Sequence, residues 1–354
     1  MPLFEYKSVD RGYYEREISS FLPKRVIDAH THVYKREFSR PDAQEQSLPG
    51  RSQHWPSLVA DENPIEDLVE TYKILLPETE VTPVMFAYPD QSYDTARSNA
   101  YVAECAMSTG FPSLYVSTPE ETAEGLEHGI VSGGFKGAKV YLNFAPSYIP
   151  GDEIRIFDFL PHHQLEMLDQ HCFAVMLHIP RPNRLRDHVN IEQMLEIDRK
   201  YPNVKIIVAH VGRAYATADL GDALDRIADS RLLVDVSANT NRLVFEEAIK
   251  KIGPTRILYG SDLPIERMRM KRIVENDTYI NIVERGKYGD LSGEPHMRET
   301  DGVEAGSLTF FFYEEISAIR RAAESAGLTG DQINRIFYAN SAELFGIAAN
   351  GETL

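Results

Sequence analysis

Eight short apolar runs alternate with helix-like runs along the chain, and this alternation restricts the fold more than any other feature. Strands that are apolar along their whole length are buried on both faces, as in parallel sheets with helical crossovers. Eight such units in 354 residues predict an α/β fold, a (β/α)8 TIM barrel that spans residues 1–354 as one domain. An open doubly wound sheet is the competing interpretation, but no Gly-rich phosphate loop follows the first strand. The predicted strands are Val26–His32, Val81–Ala87, Ser113–Ser117, Gly137–Leu142, Phe173–His178, Lys205–His210, Leu232–Ser237 and Ile257–Asp262.

The charge and hydropathy of the chain argue against some partners. The formal net charge is −17 and the sequence pI is about 5.1, whereas nucleic-acid binders carry clustered positive charge. No apolar run approaches the roughly 20 residues of a membrane-spanning helix. The first residues, Met1 to Lys7, lack the apolar core of a secretory signal. We therefore expect no nucleic-acid partner, no membrane contact and a cytoplasmic location.

Side chains that can bind a metal stand at the ends of four predicted strands. His30 and His32 end the first strand on one face, because successive side chains of a strand point to opposite faces. His178, His210 and Asp262 end the fifth, sixth and eighth strands in the register of inward-facing residues. Each of these residues alone has a structural role about as often as it binds a metal. The active sites of such barrels, however, lie at this end of the strands. Together they predict a metal-binding active site.

At these positions the chain resembles the amidohydrolase superfamily, and more closely the amidohydrolase-2 branch that contains aminocarboxymuconate-semialdehyde decarboxylase. The resemblance covers nearly the whole chain. Its single motifs are not specific, but their ordered set is. The motifs are Asp28-Ala29-His30-Thr31-His32, Leu177-His178, Ala209-His210-Val211-Gly212-Arg213, Tyr259-Gly260-Ser261-Asp262-Leu263-Pro264 and Tyr338-Ala339-Asn340-Ser341-Ala342-Glu343-Leu344-Phe345-Gly346.

The resemblance implies one divalent ion held by His30, His32, His178 and Asp262, with His210 acting on water or substrate. The chemistry of the donor atoms agrees, because three imidazoles and one carboxylate suit Zn²⁺, with Mn²⁺ as the alternative. A bound ion would lower the pKa of water to about 7. Asp262 can bind the ion or accept the proton of that water, and His210 can polarise the substrate or donate a proton to a leaving group.

Three further charged residues stand near these positions in the sequence. Lys139 lies on the fourth predicted strand, where binuclear members of the superfamily carry a carbamylated lysine between two metals and the single-metal branch does without it. We expect one ion, with Lys139 or Arg213 offering positive charge to a substrate carboxylate. The alternative for both is a solvated or ion-paired side chain. Asp28 either orients a metal ligand or is a hydrogen-bonded core residue.

Three functions remain open on the sequence alone. The first is metal-dependent hydrolysis of an amide, ester or lactone in a small, acidic substrate. The second uses the same ion for non-oxidative decarboxylation or hydration of a small, carboxylic and possibly aromatic acid, and release of CO₂ would distinguish the two. The third is a catalytically idle barrel kept for binding, which the set of polar residues at one rim argues against.

Two long segments, Val33–Ala60 and Ile265–Gly306, follow the first and eighth strands and therefore leave the barrel side by side. We predict that they form a lid over the ion, with Trp55 and at least one arginine in the wall around the substrate. Such an arginine can pair with a substrate carboxylate. The alternative is that both segments pack on a second subunit, and we expect a homodimer. The candidate arginines are Arg267, Arg269 and Arg272.

Overall fold

Eight parallel strands form the centre of the molecule. The computed structural model describes residues 3–40 and 58–347. Every predicted strand is present, although most are shorter than the apolar runs that predicted them. The strands are β1 (Arg25–His32), β2 (Glu80–Phe86), β3 (Tyr115–Val116), β4 (Gly137–Val140), β5 (Ala174–Leu177), β6 (Lys205–Val208), β7 (Leu233–Asp235) and β8 (Ile257–Leu258).

These strands close into a barrel through main-chain hydrogen bonds. β3 to β8 pair in chain order, and β1 pairs with β2. A parallel bridge between Met85 and Ser113 joins β2 to the segment that leads into β3. On the other side, the N–H of His32 donates to the carbonyl of Leu263 at 2.8 Å, which joins β1 to the segment after β8. The predicted (β/α)8 TIM barrel is confirmed, and its closure places His32 beside Asp262.

Helices cover the outside of the barrel and pack their apolar faces on it. In Arg242–Ile252, the side chain of Asn241 accepts the N–H of Leu243 at 3.1 Å, and Gly253 ends the helix with a φ of 80°. None of the described helices is long and apolar enough to cross a membrane. The α-helices are Ser8–Tyr13, Ile65–Leu75, Thr95–Thr109, Ala123–Ser132, His162–Gln170, His188–Lys200, Ala223–Arg226, Arg242–Ile252, Gly302–Ser307, Phe311–Ser325, Gly330–Asn334 and Asn340–Phe345, together with the irregular turn His210–Arg213 after β6.

The segment after β8, residues 265–306, contains a small sheet that the sequence analysis did not predict, and we call this segment the insertion. Its strands are β9 (Met270–Glu275), β10 (Thr278–Glu284) and β11 (Met297–Thr300), with β9 antiparallel and β11 parallel to β10. Asn276 and Asp277 join β9 to β10 with φ values of 50° and 58°, as in two-residue hairpin turns. This Asn-Asp pair between two apolar-rich runs was the available signal.

Candidate active site

The carboxyl ends of the barrel strands surround a cavity of about 210 Å³. Every predicted site residue in the described parts of the chain lines this cavity. Trp55, which we predicted to contact the substrate, lies outside the described residues. The predicted residues that the structure brings together are His30, His32, Lys139, His178, His210, Arg213 and Asp262.

Two imidazoles and one carboxylate meet in this cavity. Oδ1 of Asp262 lies 3.0 Å from Nε2 of His32 and 3.4 Å from Nε2 of His30. Burial raises the pKa of Asp262, but the hydrogen bond with His32 and the neighbouring His30 and His210 outweigh burial and bring this pKa down to about 2. Asp262 is therefore ionised at neutral pH.

The other ring nitrogen of each of these imidazoles is held by an acceptor. Nδ1 of His30 lies 2.9 Å from Oδ2 of Asp235, and Nδ1 of His32 lies 3.2 Å from the carbonyl oxygen of Ala87. Carboxylate and carbonyl oxygens only accept hydrogen bonds, so these contacts assign a proton to each Nδ1. Burial, and the nearby Lys139 cation, hold the pKa of His30 well below its ordinary value, so this ring is neutral. Its Nε2 therefore presents a lone pair to the cavity.

The two ring nitrogens and the carboxylate oxygen together fit a divalent ion. When Nε2 of His30 and of His32 are unprotonated, their lone pairs lie close to the negatively charged oxygen of Asp262, and a cation among these three atoms is stabilised. The ligand atoms of the three residues lie within 4.8 Å of one another, so one ion can contact all three. Acceptors that hold Nδ1 are typical of metal-binding histidines. Nitrogen and carboxylate donors of this kind suit Zn²⁺ and Mn²⁺.

His178, the predicted fourth ligand, lines the same cavity but lies outside this group of three. Its ring centre is 4.5 Å from that of Tyr141 and 5.2 Å from that of His210. Burial lowers the pKa of His178 well below its ordinary value, so the ring is neutral. Its Nδ1 has no hydrogen-bond partner among the residues that the structure describes. Metal ligation by His178 therefore stays a prediction.

The main chain bends where β6, β7 and β8 end. His210, Ala238 and Asp262 have φ values of 58°, 51° and 61°, in the left-handed region. This conformation costs about 1–2 kcal/mol for a residue other than glycine, and such strain concentrates at functional sites. The bend at Asp262 lets its N–H donate to the carbonyl of His30 at 2.8 Å. Strain in the backbone thus positions two of the candidate functional side chains, His210 and Asp262.

Asp235, at the end of β7, is a central residue of the site that the sequence analysis missed. It is fully buried, and its Oδ2 binds Nδ1 of His30. Its Oδ1 accepts the backbone N–H of His210 at 2.8 Å and that of Ser237 at 3.1 Å. The carbonyl of Ser237 in turn accepts Nδ1–H of His210 at 3.0 Å. Asp235 and Ser237 share an inward strand face with Leu233, which was the available signal.

Asp28 is a hydrogen-bonded core residue, the second of its two interpretations. Its carboxylate accepts the N–H of Ser261 at 2.9 Å, the N–H of His30 at 3.2 Å and the hydroxyl of Tyr72 at 2.8 Å. Burial raises the pKa of Asp28 to about 7. The residue fastens the main chain near His30 to the main chain before Asp262.

Lys139 extends from β4 into the cavity and is 1% exposed. Its Nζ lies 3.4 Å from Nε2 of His30 and 4.9 Å from the ring centre of Phe86. It forms no ion pair with a carboxylate of residues 3–40 or 58–347. Burial lowers the pKa of Lys139 to about 8. A positive charge without an ion pair in the described residues therefore lies beside the candidate metal ligands, and the nearby carboxylates of Asp262 and Asp235 stabilise it.

The three candidate arginines of the insertion take different places. Arg269 pairs with Asp10 in the protein interior, and Arg267 donates to the side chain of Asn63. Arg272 lines the cavity that also contains His30 and His32. The prediction required at least one of the three arginines in the wall, and Arg272 meets it. The wall also contains the carboxylate of Asp90 and the aromatic side chains of Tyr34, Tyr88, Tyr141, Tyr215, Tyr279 and Phe311.

Fold and site together define a class of protein. A closed barrel of eight parallel strands carries a His-x-His pair at the end of β1 and an ionised Asp262 after β8, around a cavity that fits a divalent ion. This combination defines a metal-dependent barrel enzyme.

The family follows from comparison with known proteins. The family model described as amidohydrolase matches residues 27–347, and the chain belongs to this family of metal-dependent enzymes. A search of curated protein sequences found no match.

Solved structures of other proteins share the fold at low sequence identity. 5-Carboxyvanillate decarboxylase from Sphingomonas paucimobilis is 12% identical with a TM-score of 0.56, over 91% of this chain and 99% of that one. Dihydroxybenzoic acid decarboxylase from Polaromonas sp. JS666, solved with manganese and 2-nitroresorcinol, is 16% identical with a TM-score of 0.54. The match covers 93% of this chain and 99% of that one. A proposed 2-pyrone-4,6-dicarboxylic acid hydrolase from Pseudomonas putida is 16% identical with a TM-score of 0.53, over 92% and 98%. Identity at this level shows a common fold.

Proposed function

We propose that the protein is a metal-dependent hydrolase that cleaves an amide, ester or lactone bond in a small acidic substrate. The observation that carries the proposal is the ionised carboxylate of Asp262, 3.0 Å from Nε2 of His32, where the donor atoms fit a divalent ion. When bound, the ion supplies Lewis acidity, which acidifies water and polarises a carbonyl. Asp262 then accepts the proton of the attacking water.

His210 acts first as a proton acceptor in this proposal. Its Nδ1–H donates to the carbonyl of Ser237 at 3.0 Å, and burial lowers the pKa of the ring, so Nε2 is unprotonated at rest. It can protonate a leaving group only after it has taken up a proton, for which Asp262 is the candidate source. Lys139 and Arg213 bind the substrate carboxylate, and Trp55 remains our candidate for a further substrate contact.

Three finer assignments belong to the same proposal. We assign the ion as a single Zn²⁺, with His178 as its fourth ligand beside His30, His32 and Asp262, and Mn²⁺ as the alternative metal. We further propose a cytoplasmic enzyme that forms a homodimer and binds neither nucleic acid nor membranes. The net charge of −17 supports the exclusion of nucleic acid.

Decarboxylation of a small aromatic acid is the second candidate. The observation that favours it is the aromatic part of the wall, because Tyr34, Tyr88 and Tyr141 line the cavity and can pack against a planar ring. Two of the similar structures are of decarboxylases that act on aromatic acids by their names, and this supports the same candidate. The donor set around His30 and His32 suits either reaction.

Product analysis distinguishes the two reactions. The metal-loaded protein is incubated with small esters, amides and lactones that each carry a carboxylate, and with hydroxybenzoic acids. Mass spectrometry follows the products and a coupled assay follows CO₂. We expect hydrolysis products without CO₂, and Asp262→Asn is the negative control. Release of CO₂ with no hydrolysis would overturn the first candidate in favour of the second. A protein that holds the metal and the acids but turns over none of them would instead be an idle binding barrel.

A further inference from the structure

Arg272, on β9 of the insertion, is held in the cavity wall by aromatic rings. Its guanidinium carbon lies 4.8 Å from the ring centre of Tyr215, 4.7 Å from that of Tyr279 and 4.6 Å from that of Phe311. A guanidinium stacks well on aromatic faces, and its donors point outward in its own plane. The three rings therefore surround the guanidinium, and its N–H groups remain available for hydrogen bonding.

Part of this edge is fixed by the protein and part of it is free. Nε of Arg272 donates to Oδ1 of Asn281 at 2.8 Å, and Nη1 donates to the carbonyl of Ala238 at 2.6 Å. Nη2 has no acceptor in the described parts of the chain, and no carboxylate there pairs with this arginine. The side chain is thus oriented before any ligand binds, which reduces the conformational entropy lost on binding.

A second arginine on the same rings shows how the protein balances such a charge elsewhere. The guanidinium carbon of Arg184 lies 5.3 Å from the ring centre of Tyr215 and 5.0 Å from that of Tyr279. Unlike Arg272, it pairs with Asp219 at 2.7 Å and does not line the cavity. An enclosed cation without a counter-ion is unfavourable, and a ligand anion at Arg272 would offset this penalty.

The cavity holds another unpaired cation in a different part of its wall. Lys139 contacts His30 and Phe86, and neither of these residues is among the contacts of Arg272. Two cations with separate surroundings can each bind one anionic group of the same ligand.

We propose that Arg272 is a specificity-determining residue that binds the distal carboxylate of a diacid, while the first carboxylate lies near Lys139 and the candidate metal ligands. This inference rests on the proposed function for the position of the reacting end. The free edge of a planar guanidinium matches the two oxygens of a carboxylate. Selection of a diacid would therefore come from the insertion, and the chemistry from the barrel.

Binding measurements on the metal-loaded, full-length protein test this assignment without turnover. Calorimetry compares benzoate with isophthalate and terephthalate, which carry a second carboxylate. We expect whichever of isophthalate and terephthalate binds more tightly to exceed benzoate in affinity by at least about tenfold. One pair of charge-assisted hydrogen bonds to the second carboxylate is enough for a difference of this size. Arg272→Gln should abolish this preference and change benzoate affinity less than about threefold.

Arg184→Gln is the matched control, because it removes a cation from the same two tyrosine rings outside the cavity. The N–H groups of Tyr215 and Ala216 still donate to Asp219 in this variant, so we expect an unchanged diacid preference. Equal losses for benzoate and the diacids in Arg272→Gln would contradict the proposal. If that variant does not fold, equal affinity of the wild type for benzoate and both diacids would contradict it.

A phosphonate probe separates the two anions that a guanidinium binds. If 3-phosphonobenzoate binds more tightly than isophthalate and this advantage disappears in Arg272→Gln, the assignment to a carboxylate is overturned. The same experiments test the proposed hydrolysis and the role of Arg272 independently of each other. A protein that prefers diacids but hydrolyses none of the tested substrates would contradict the proposed hydrolysis and support the role of Arg272.

Discussion

One carboxylate, that of Asp235, connects two of the candidate functional histidines. It accepts Nδ1–H of His30 and the backbone N–H of His210, so it fixes one ring directly and the other through its main chain. Sequence reasoning found His30 and His210 because they end their apolar runs. It missed Asp235, which stands inside the predicted seventh strand, where a buried polar residue looks like any core hydrogen-bond partner.

Asp235→Asn should weaken metal binding about 10- to 100-fold. The amide has one acceptor oxygen where the carboxylate has two, so either Nδ1 of His30 or the N–H of His210 loses its acceptor. Competition with a chromogenic chelator measures the affinity for Zn²⁺. Asp187→Asn is the control, since Asp187 caps the helix His188–Lys200 and does not line the cavity. An Asp235→Asn affinity within about twofold of wild type would contradict the role of this carboxylate.

Asp262→Asn should reduce turnover by at least about 100-fold and leave the fold intact. An amide cannot accept the proton of water, and it cannot balance the charge of a divalent ion. Turnover of any identified substrate is compared with that of wild type, and the melting temperature reports on folding. Activity within about tenfold of wild type would remove Asp262 from the mechanism.

At the scale of elements, the insertion is where sequence reasoning failed. Its strands expose one face, and the other face is covered by residues distant in the sequence, with Met270 and Val283 packing in a cluster with Ala238 and Phe311. Such a sheet is defined by its tertiary partners more than by its own pattern. The barrel strands were predictable because they are apolar on both faces.

A pair of buried carboxyl groups joins the start of the insertion to a barrel helix. Glu266 precedes β9, and Glu315 lies on the helix Phe311–Ser325; both are fully buried, and each acts on the pKa of the other. Both oxygens of Glu266 and Oε1 of Glu315 lack a hydrogen-bond partner in the described residues. Burial raises the pKa of both groups; Glu266 raises the pKa of Glu315 further, whereas Glu315 lowers that of Glu266. The pair therefore retains a proton at neutral pH. The other ionisable groups that act on it are Asp28, Tyr72, Tyr259, Asp262 and Arg272.

Glu266→Gln should make the protein more stable than wild type, increasingly so as pH rises. A carboxyl whose pKa is raised in the folded state contributes stability below its unfolded pKa, and this contribution is lost as pH rises toward the folded pKa. Glutamine has nearly the same shape and removes one such group. Urea unfolding between pH 5 and 9 measures the difference, which can grow by at most about 1.4 kcal/mol per pH unit for one proton. Exposed Glu124→Gln is the control, and a difference independent of pH would contradict the shared proton.

At the scale of the whole molecule, the closed barrel and most of the cavity were predictable, because parallel strands deliver their carboxyl ends to one rim. The contacts between segments that are distant in the sequence were not predictable. Asp10, in the helix Ser8–Tyr13, is fully buried and pairs with Arg269 of the insertion. The hydroxyl of Thr309 donates to the same carboxylate at 2.9 Å. A lone Asp in a polar N-terminal stretch gives no sign of such a partner. The single domain and the homodimer stay predictions.

Asp10→Asn should destabilise the protein by about 3–5 kcal/mol, because it leaves the buried Arg269 cation without its counter-ion. Chemical unfolding measures the change. Glu275→Gln is the control, since it breaks the exposed pair of Glu275 with Arg298 in the same insertion and should have a much smaller effect. Equal effects of the two substitutions would contradict the proposed link between the N-terminal segment and the insertion.

The metal site is also a property of the whole molecule, because it combines ligands from opposite ends of the chain. We expect about one divalent ion per chain, because His30, His32 and Asp262 form one compact group. Plasma emission spectrometry counts the ions after metal-supplemented expression. Metal binding should also raise the melting temperature, because a ligand of the folded state at 1,000 times its Kd stabilises it by about 4 kcal/mol. Lys139→Met should keep the single ion. Less than about a tenth of an equivalent would contradict the metal site, whereas two equivalents that fall to one in Lys139→Met would make Lys139 a bridging ligand.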